Sequence, residues 1–184
     1  MSVQMIILII AIVAVVMFII ITFNKGVNLR NYVKEAFSTM DVYLKKRWDL
    51  VPNLVTVVKS YAEHEQSVFT EIAGLRAGNY ENMSDEEKMN TNEKLTSGLS
   101  KIMAVVENYP VIKADTHFVT LMEQLTSVEN DIANSRKYYN GCVRVYNNYT
   151  EIFPTNITAS VFGFKPAKMF EANDSDRQNV KAEI

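Results

Sequence analysis

The sequence predicts an all-α fold, in which a single N-terminal transmembrane helix is followed by an antiparallel bundle of long helices. Three observations lead there. Gly and Pro together number 10 of 184 residues, roughly half the usual share of about 12%. So few backbone breakers leave little room for the many turns of a β-sandwich or barrel. Residues 5–23 form a run of 19 apolar and uncharged side chains. Beyond that run, apolar residues recur in alternating steps of four and three, the period of helices that pack on helices.

Composition narrows the function classes. With 48% apolar residues, 22% charged residues and a net charge of −2, the chain is neither a disordered polymer nor a basic nucleic-acid binder. Its single cysteine, Cys142, excludes an internal disulfide framework and a multi-cysteine metal site.

Taken in order, residues 1–4 form a short N-terminus and residues 5–23 the membrane span. At about 1.5 Å per residue a helix of this length is roughly 28 Å long, close to the ~30 Å hydrocarbon core. A cleaved signal needs a basic start and small residues at a cleavage site. Residues 1–4 carry no basic side chain, and Thr22-Phe23-Asn24-Lys25 is no such site, so an uncleaved anchor is expected. Lys25, Arg30 and Lys34 follow the span, with Lys45, Lys46 and Arg47 further on. The positive-inside rule then places the bundle in the cytoplasm and the N-terminus outside a bacterial cell membrane.

Residues 24–164 are the expected bundle. The first seam runs Leu29, Val33, Ala36, Met40, Tyr43, Arg47, Leu50, Leu54, Val57, Tyr61, His64, Val68, and ten of these twelve are apolar or aromatic. The phase survives Pro52, which favours a kinked helix over a turn, although a mid-helix proline costs about 3 kcal/mol. That helix is expected to end near Gly74 to Gly78. A turn at Pro52 would instead split it, giving four helices running up and down.

Ser84-Asp85-Glu86-Glu87 reads as a capping box opening the next helix, whose seam is Leu95, Leu99, Ile102, Val106, Tyr109. The last long helix begins within residues 111–116 and carries Phe118, Leu121, Leu125, Val128, Ile132, Ser135, Tyr139, Cys142, Tyr146, Tyr149 and Phe153 up to Pro154. Under the three-helix reading the lengths are roughly 75, 35 and 60 Å. Seams left without a partner in the same chain argue for self-association or for a partner helix. Residues 165–184 are a polar tail whose last ten residues read as disordered.

Few side chains invite chemistry. His64 lacks the second histidine one helical turn away that a zinc-protease motif needs, and His117 is the only other histidine. His64 is therefore expected to make a structural hydrogen bond between helices. Arg47, charged and on the seam, is expected to form an interhelical pair with a carboxylate such as Glu129 or Asp131. Cys142 reads as core filler. Phosphate loop, serine elbow and EF-hand patterns are absent from the sequence, and the sequons at Asn82, Asn148 and Asn156 are chance patterns in a cytoplasmic domain. No cofactor, metal or catalytic residue is expected.

Residues 138–149 hold four of the nine tyrosines. Tyr139, Tyr146 and Tyr149 lie on the seam, whereas Tyr138, Arg144 and Asn148 face outward as a candidate interface. Phe162 and Phe164, flanking Gly163, are further interface candidates.

At these residues the chain resembles the LemA family. The resemblance rests on Arg47-Trp48-Asp49-Leu50-Val51-Pro52-Asn53-Leu54-Val55 and Lys59-Ser60-Tyr61-Ala62-Glu63-His64-Glu65. Further on it rests on Glu107-Asn108-Tyr109-Pro110, Glu129-Asn130-Asp131-Ile132-Ala133, Arg136-Lys137-Tyr138-Tyr139-Asn140 and Tyr146-Asn147. Phe153-Pro154-Thr155-Asn156 and Phe162-Gly163-Phe164 complete it, over about residues 24–164. The resemblance implies a membrane helix and a cytoplasmic bundle usually described as four helices, which favours a break at Pro52. It carries no enzymatic activity, and some relatives are associated with shaping membrane compartments. The expected function is a non-enzymatic, membrane-anchored scaffold that self-associates; the alternative is a monomeric adaptor recruiting one protein partner. An enzyme built on His64 with Glu63 or Glu65 is the remote third reading.

Overall fold

The computed structural model describes residues 2–170, and among these no strand occurs. Five α-helices follow one another: α1 (Val3–Lys59), α2 (Gln66–Leu75), α3 (Asp85–Asn108), α4 (Thr116–Glu151) and α5 (Thr155–Val161). Short 3₁₀ turns at Tyr80–Asn82 and Pro110–Ala114 join α2 to α3 and α3 to α4.

The chain divides into two compact units, each drawing on α1 and α4. The first comprises residues up to Ala36 and Lys137–Met169. Its α1 segment and the end of α4 lie antiparallel, around a core of Val33, Ala36, Tyr139, Val143, Tyr146 and Tyr149. Gly26 sits inside a continuous helix, where it costs about 1 kcal/mol relative to alanine. The reason is close approach: a Cβ there would lie 2.8 Å from Cε1 of the Tyr149 ring. The Tyr149 hydroxyl donates to the Thr22 carbonyl at 2.8 Å, which holds the ring in place. Residues 165–169 are strapped along α4. Asn147 Nδ2 donates to the Ala167 carbonyl at 2.9 Å and Asn147 Oδ1 accepts from the Ala167 N–H at 2.8 Å. The Tyr139 hydroxyl donates to the Lys168 carbonyl at 2.8 Å. The ten residues read as disordered from sequence lie outside the described residues.

The second unit spans residues 37–136 and includes Phe170 among the described residues. Here α1 and α3 run parallel while α2 and α4 run antiparallel to them, an up-and-down arrangement of four helical segments. α1 passes through Pro52 without interruption, as the preserved phase predicts. The helix does not continue to Gly74, however. It ends at Lys59, and residues 60–65 turn the chain into α2. No glycine or proline marks this break. Four consecutive β-branched residues, Val55 to Val58, weaken the last turn. The Ser60 hydroxyl then takes the Val57 carbonyl at 2.7 Å, and the N–H groups of Tyr61 and Ala62 both reach the Val58 carbonyl at 3.1 Å.

Local signals fix the other ends. Ser84 and Glu87 form the expected capping box, with Ser84 N–H donating to Glu87 Oε2 at 2.7 Å. Asp115 caps α4, accepting from His117 and Phe118 N–H at 2.7 and 3.0 Å. α2 lies close against α3, since a Cβ on Gly98 would come within 3.0 Å of Ile72 Cγ1.

Candidate functional site

Arg47 is the charged side chain at the centre of the second unit, 1% exposed. It reaches α1's neighbours on two sides. Nη1 donates to Asn92 Oδ1 at 2.7 Å, and Nη2 donates to Thr96 Oγ1 at 2.8 Å, both on α3. Across on α4, Glu129 Oε1 lies 2.9 Å from Arg47 Nε, an ion contact whose angle falls short of an aligned hydrogen bond. Burial lowers the guanidinium below the ordinary arginine value, Glu129 pushes it back up, and the like charge of Arg136 adds to the lowering. Beside this cluster, Leu99, Met103, Met122 and Leu125 line a shallow apolar groove of about 220 Å³. The arrangement resembles a structural ion pair more than a binding centre, because the guanidinium's donors are turned to groups of the protein itself.

A second cluster joins Trp48, Tyr80 and Asp41. The Tyr80 hydroxyl donates to Asp41 Oδ1 at 2.7 Å, and Lys88 Nζ donates to Asp41 Oδ2 at 2.6 Å. The Tyr80 ring stands 5.3 Å from Trp48, over which Arg76 is placed at 5.0 Å. Burial, and then the hydrogen bond to Asp41, raise the Tyr80 phenol far above its ordinary value. Sequence reasoning missed these partners, as it missed Asn92 and Thr96. Asn92 falls three residues before Leu95, a phase that gave the one available hint of a polar residue facing inward.

In the first unit, Tyr138 and Arg144 border an open groove of about 610 Å³, with Leu29 and Tyr32 from α1 and Cys142 and Val145 from α4. Tyr138 is 58% exposed. Cys142 is half-buried and lines the same groove, so it is not in a closed core, and its proximity raises the Tyr138 phenol. Asn148 is exposed but does not line this groove.

Phe162 and Phe164 separate. Phe162 remains exposed, and its ring lies tilted against Phe23 at 4.8 Å, at the end of the apolar run. Phe164 is buried, which corrects its reading as an interface residue. Its ring lies edge-on to Tyr149 at 6.0 Å and under Arg30 at 5.4 Å. The turn at Gly163, with φ of 71°, swings the two rings apart.

His64 requires a correction as well. It is exposed in the turn between α1 and α2, not buried between helices, because the seam that carried it stops at Lys59. It borders a shallow cleft with Lys59, Glu63 and Gln66. The neighbouring Tyr61 donates to Asp115 Oδ2 at 2.7 Å and so ties this turn to the cap of α4. That bond raises the Tyr61 phenol and, with the capping N–H groups, lowers the Asp115 carboxyl. Among the described residues, no three His, Cys, Asp or Glu side chains gather as a metal would require.

One helix among the described residues, α1, is long and apolar enough to cross a membrane. Its apolar stretch is almost wholly exposed, as a lipid-facing segment is, and the protein is membrane-associated.

Comparison with known proteins adds two findings. A family model described as the LemA family matches residues 36–183. Magnetosome proteins MamQ 1 and MamQ 2 of Paramagnetospirillum magneticum are each 25% identical to this chain, over 91% of it and 71% of their own length. Magnetosome protein MamQ of Magnetospirillum gryphiswaldense is 22% identical over 88% of this chain and 69% of its own.

Proposed function

The chain belongs to the LemA family, and from that premise we propose that it is a non-enzymatic, single-pass membrane scaffold whose copies associate side by side. The observation that carries this reading is the groove at Tyr32, Tyr138 and Val145. It is formed by the α1 segment that directly follows the apolar run and by the α4 segment beside it. An aromatic and apolar groove next to a membrane span is where laterally diffusing copies meet. Its Tyr and Arg side chains are types that anchor interfaces. The relatives' name, magnetosome protein, assigns them to a cellular structure rather than to a reaction. Basic residues clustered after the span support a cytoplasmic bundle at the bacterial cell membrane.

The test is the mass of the full-length protein in mild detergent at micromolar concentration. An oligomer that Val145→Asp converts to monomer supports the scaffold. A strictly monomeric particle refutes self-association and favours the adaptor, in which Tyr138, Arg144 and the same groove receive a different protein. Crosslinking in cells would then yield that protein rather than a second copy.

A further inference from the structure

The stretch after α4 is uncharged from Ile152 to Phe164, thirteen residues, and is followed by Lys165 and Lys168. Within it Phe153 is 74% exposed, Val161 73% and Ile157 56%, with Ile152 and Phe162 also largely bare. In a protein surrounded only by water this apolar face has no evident use.

Its position says what covers it. In the first unit α4 runs antiparallel to α1: Cys142 and Val145 lie by Leu29, and Tyr149 lies at Gly26 and Thr22. At about 1.5 Å per residue, the elbow at Ile152 and Phe153 falls roughly 5 Å beyond Tyr149, alongside the end of the apolar run. α5 then stays at that level, since Thr158 Oγ1 and Thr22 Oγ1 share a hydrogen bond at 3.0 Å and the Phe162 ring packs against Phe23. The exposed face is therefore continuous with the lipid-facing surface of residues 5–23.

We propose that the elbow and α5 form a second membrane contact, an interfacial wedge lying in the bilayer surface beside the span. Apolar side chains of such elements enter about 5 to 10 Å into the boundary between headgroups and acyl chains, and flanking lysines suit anionic lipid. Exposed Lys165 and Lys168 supply that flank. Glu151, exposed at the last turn of α4, and Ser160 on α5 keep the insertion shallow. The wedge would pin the angle at which α1 leaves the membrane, which a lone span does not.

The inference rests on the reading of residues 5–23 as a span, so the experiment carries a control for that reading. Full-length protein in a Cys142→Ala background is spin-labelled at Phe153→Cys, Ile157→Cys or Val161→Cys. It is reconstituted in phosphatidylethanolamine–phosphatidylglycerol vesicles, with Val13→Cys inside the span and Thr70→Cys, at an exposed position of α2, as references. Relative accessibility to oxygen and to a water-soluble nickel chelate reads depth. The three wedge labels are expected to favour oxygen several-fold over Thr70→Cys, as Val13→Cys does. Wedge labels matching Thr70→Cys while Val13→Cys reads lipid overturn the wedge and leave the anchor standing. An aqueous Val13→Cys overturns the anchor and the wedge together. Where a label perturbs the fold by circular dichroism, Phe153→Trp asks the same question. Its emission should be quenched by brominated lipid, whereas that of buried Trp48 alone should not, and absence of quenching overturns the proposal.

Discussion

Replacing Glu129 by alanine removes the carboxylate 2.9 Å from Arg47 Nε and leaves a guanidinium, 1% exposed, facing only the neutral oxygens of Asn92 and Thr96. Stranding one member of a buried pair costs ~3–5 kcal/mol. Because the Glu129 side chain is itself 43% exposed, the low end applies, about 3 kcal/mol. Arg47→Met removes the charge with an apolar chain of similar reach but strands Asn92 Oδ1 and the buried Glu129 Oε1, a penalty of about 3 kcal/mol. Once Arg47 is methionine, Glu129→Ala should cost under about 0.5 kcal/mol, so the double-mutant cycle should return a coupling near 2.5 kcal/mol. Trp48, the single tryptophan and buried in this unit, reports unfolding by its fluorescence in urea, with the full chain held in detergent micelles. The exposed pair of Lys45 and Asp49 is the internal standard, and Asp49→Ala should shift stability by no more than about 0.5 kcal/mol. If Glu129→Ala behaves like Asp49→Ala, or if its cost is unchanged in the Arg47→Met background, the guanidinium does not depend on Glu129 and the reasoning fails.

Three further outcomes are expected. Gly26→Ala gains about 1 kcal/mol of helix propensity but drives a methyl against a ring that the Thr22 carbonyl holds, so the net effect should be a loss of about 1–2 kcal/mol; a raised melting temperature in micelles would contradict the packing described. Ser84→Ala should lower stability by about 1 kcal/mol through loss of the cap of α3, read as a lower urea midpoint, and an unchanged midpoint would count against the capping box. Stability should also respond to pH at both extremes. Asp115 is held below the usual carboxylate range by Tyr61 and the Phe118 N–H, and Glu87 by the Ser84 N–H. The unfolded chain therefore takes up protons first, and their contribution is complete above about pH 4.5 and lost as pH falls through the folded values. Burial and Asp41 raise the Tyr80 phenol, so its contribution is present below about pH 10 and declines above it. Urea midpoints across pH check both limbs, which Asp115→Asn and Tyr80→Phe should flatten separately.

The helices were legible because helix packing leaves a period in the chain. Val33, Ala36, Met40, Arg47 and Leu54 are buried as the first seam requires, and Phe118 through Tyr149 follow the third closely. The turn at residues 60–65 was not legible, since it depends on a Ser60 side-chain bond and on the distant Asp115, and neither interrupts the apolar phase. His64 was misplaced for the same reason. Phe164 and Phe162 look alike in sequence, and only the backbone turn at Gly163 sends one inward. Arg47 stood out as a charge on an apolar seam, but its α3 partners carry no signal of their own until the two helices are laid side by side.

A seam of leucines and valines is a poor ruler. Slide one helix along another by a single turn, about 5.4 Å, and most knobs find an equivalent hole. Arg47 tolerates no such slip, because its fork must meet Asn92 and Thr96 on one neighbour while its third nitrogen meets Glu129 on the other. Whatever this charge contributes to melting temperature, it acts as a notch that admits one alignment of three helices and rejects the near-degenerate ones.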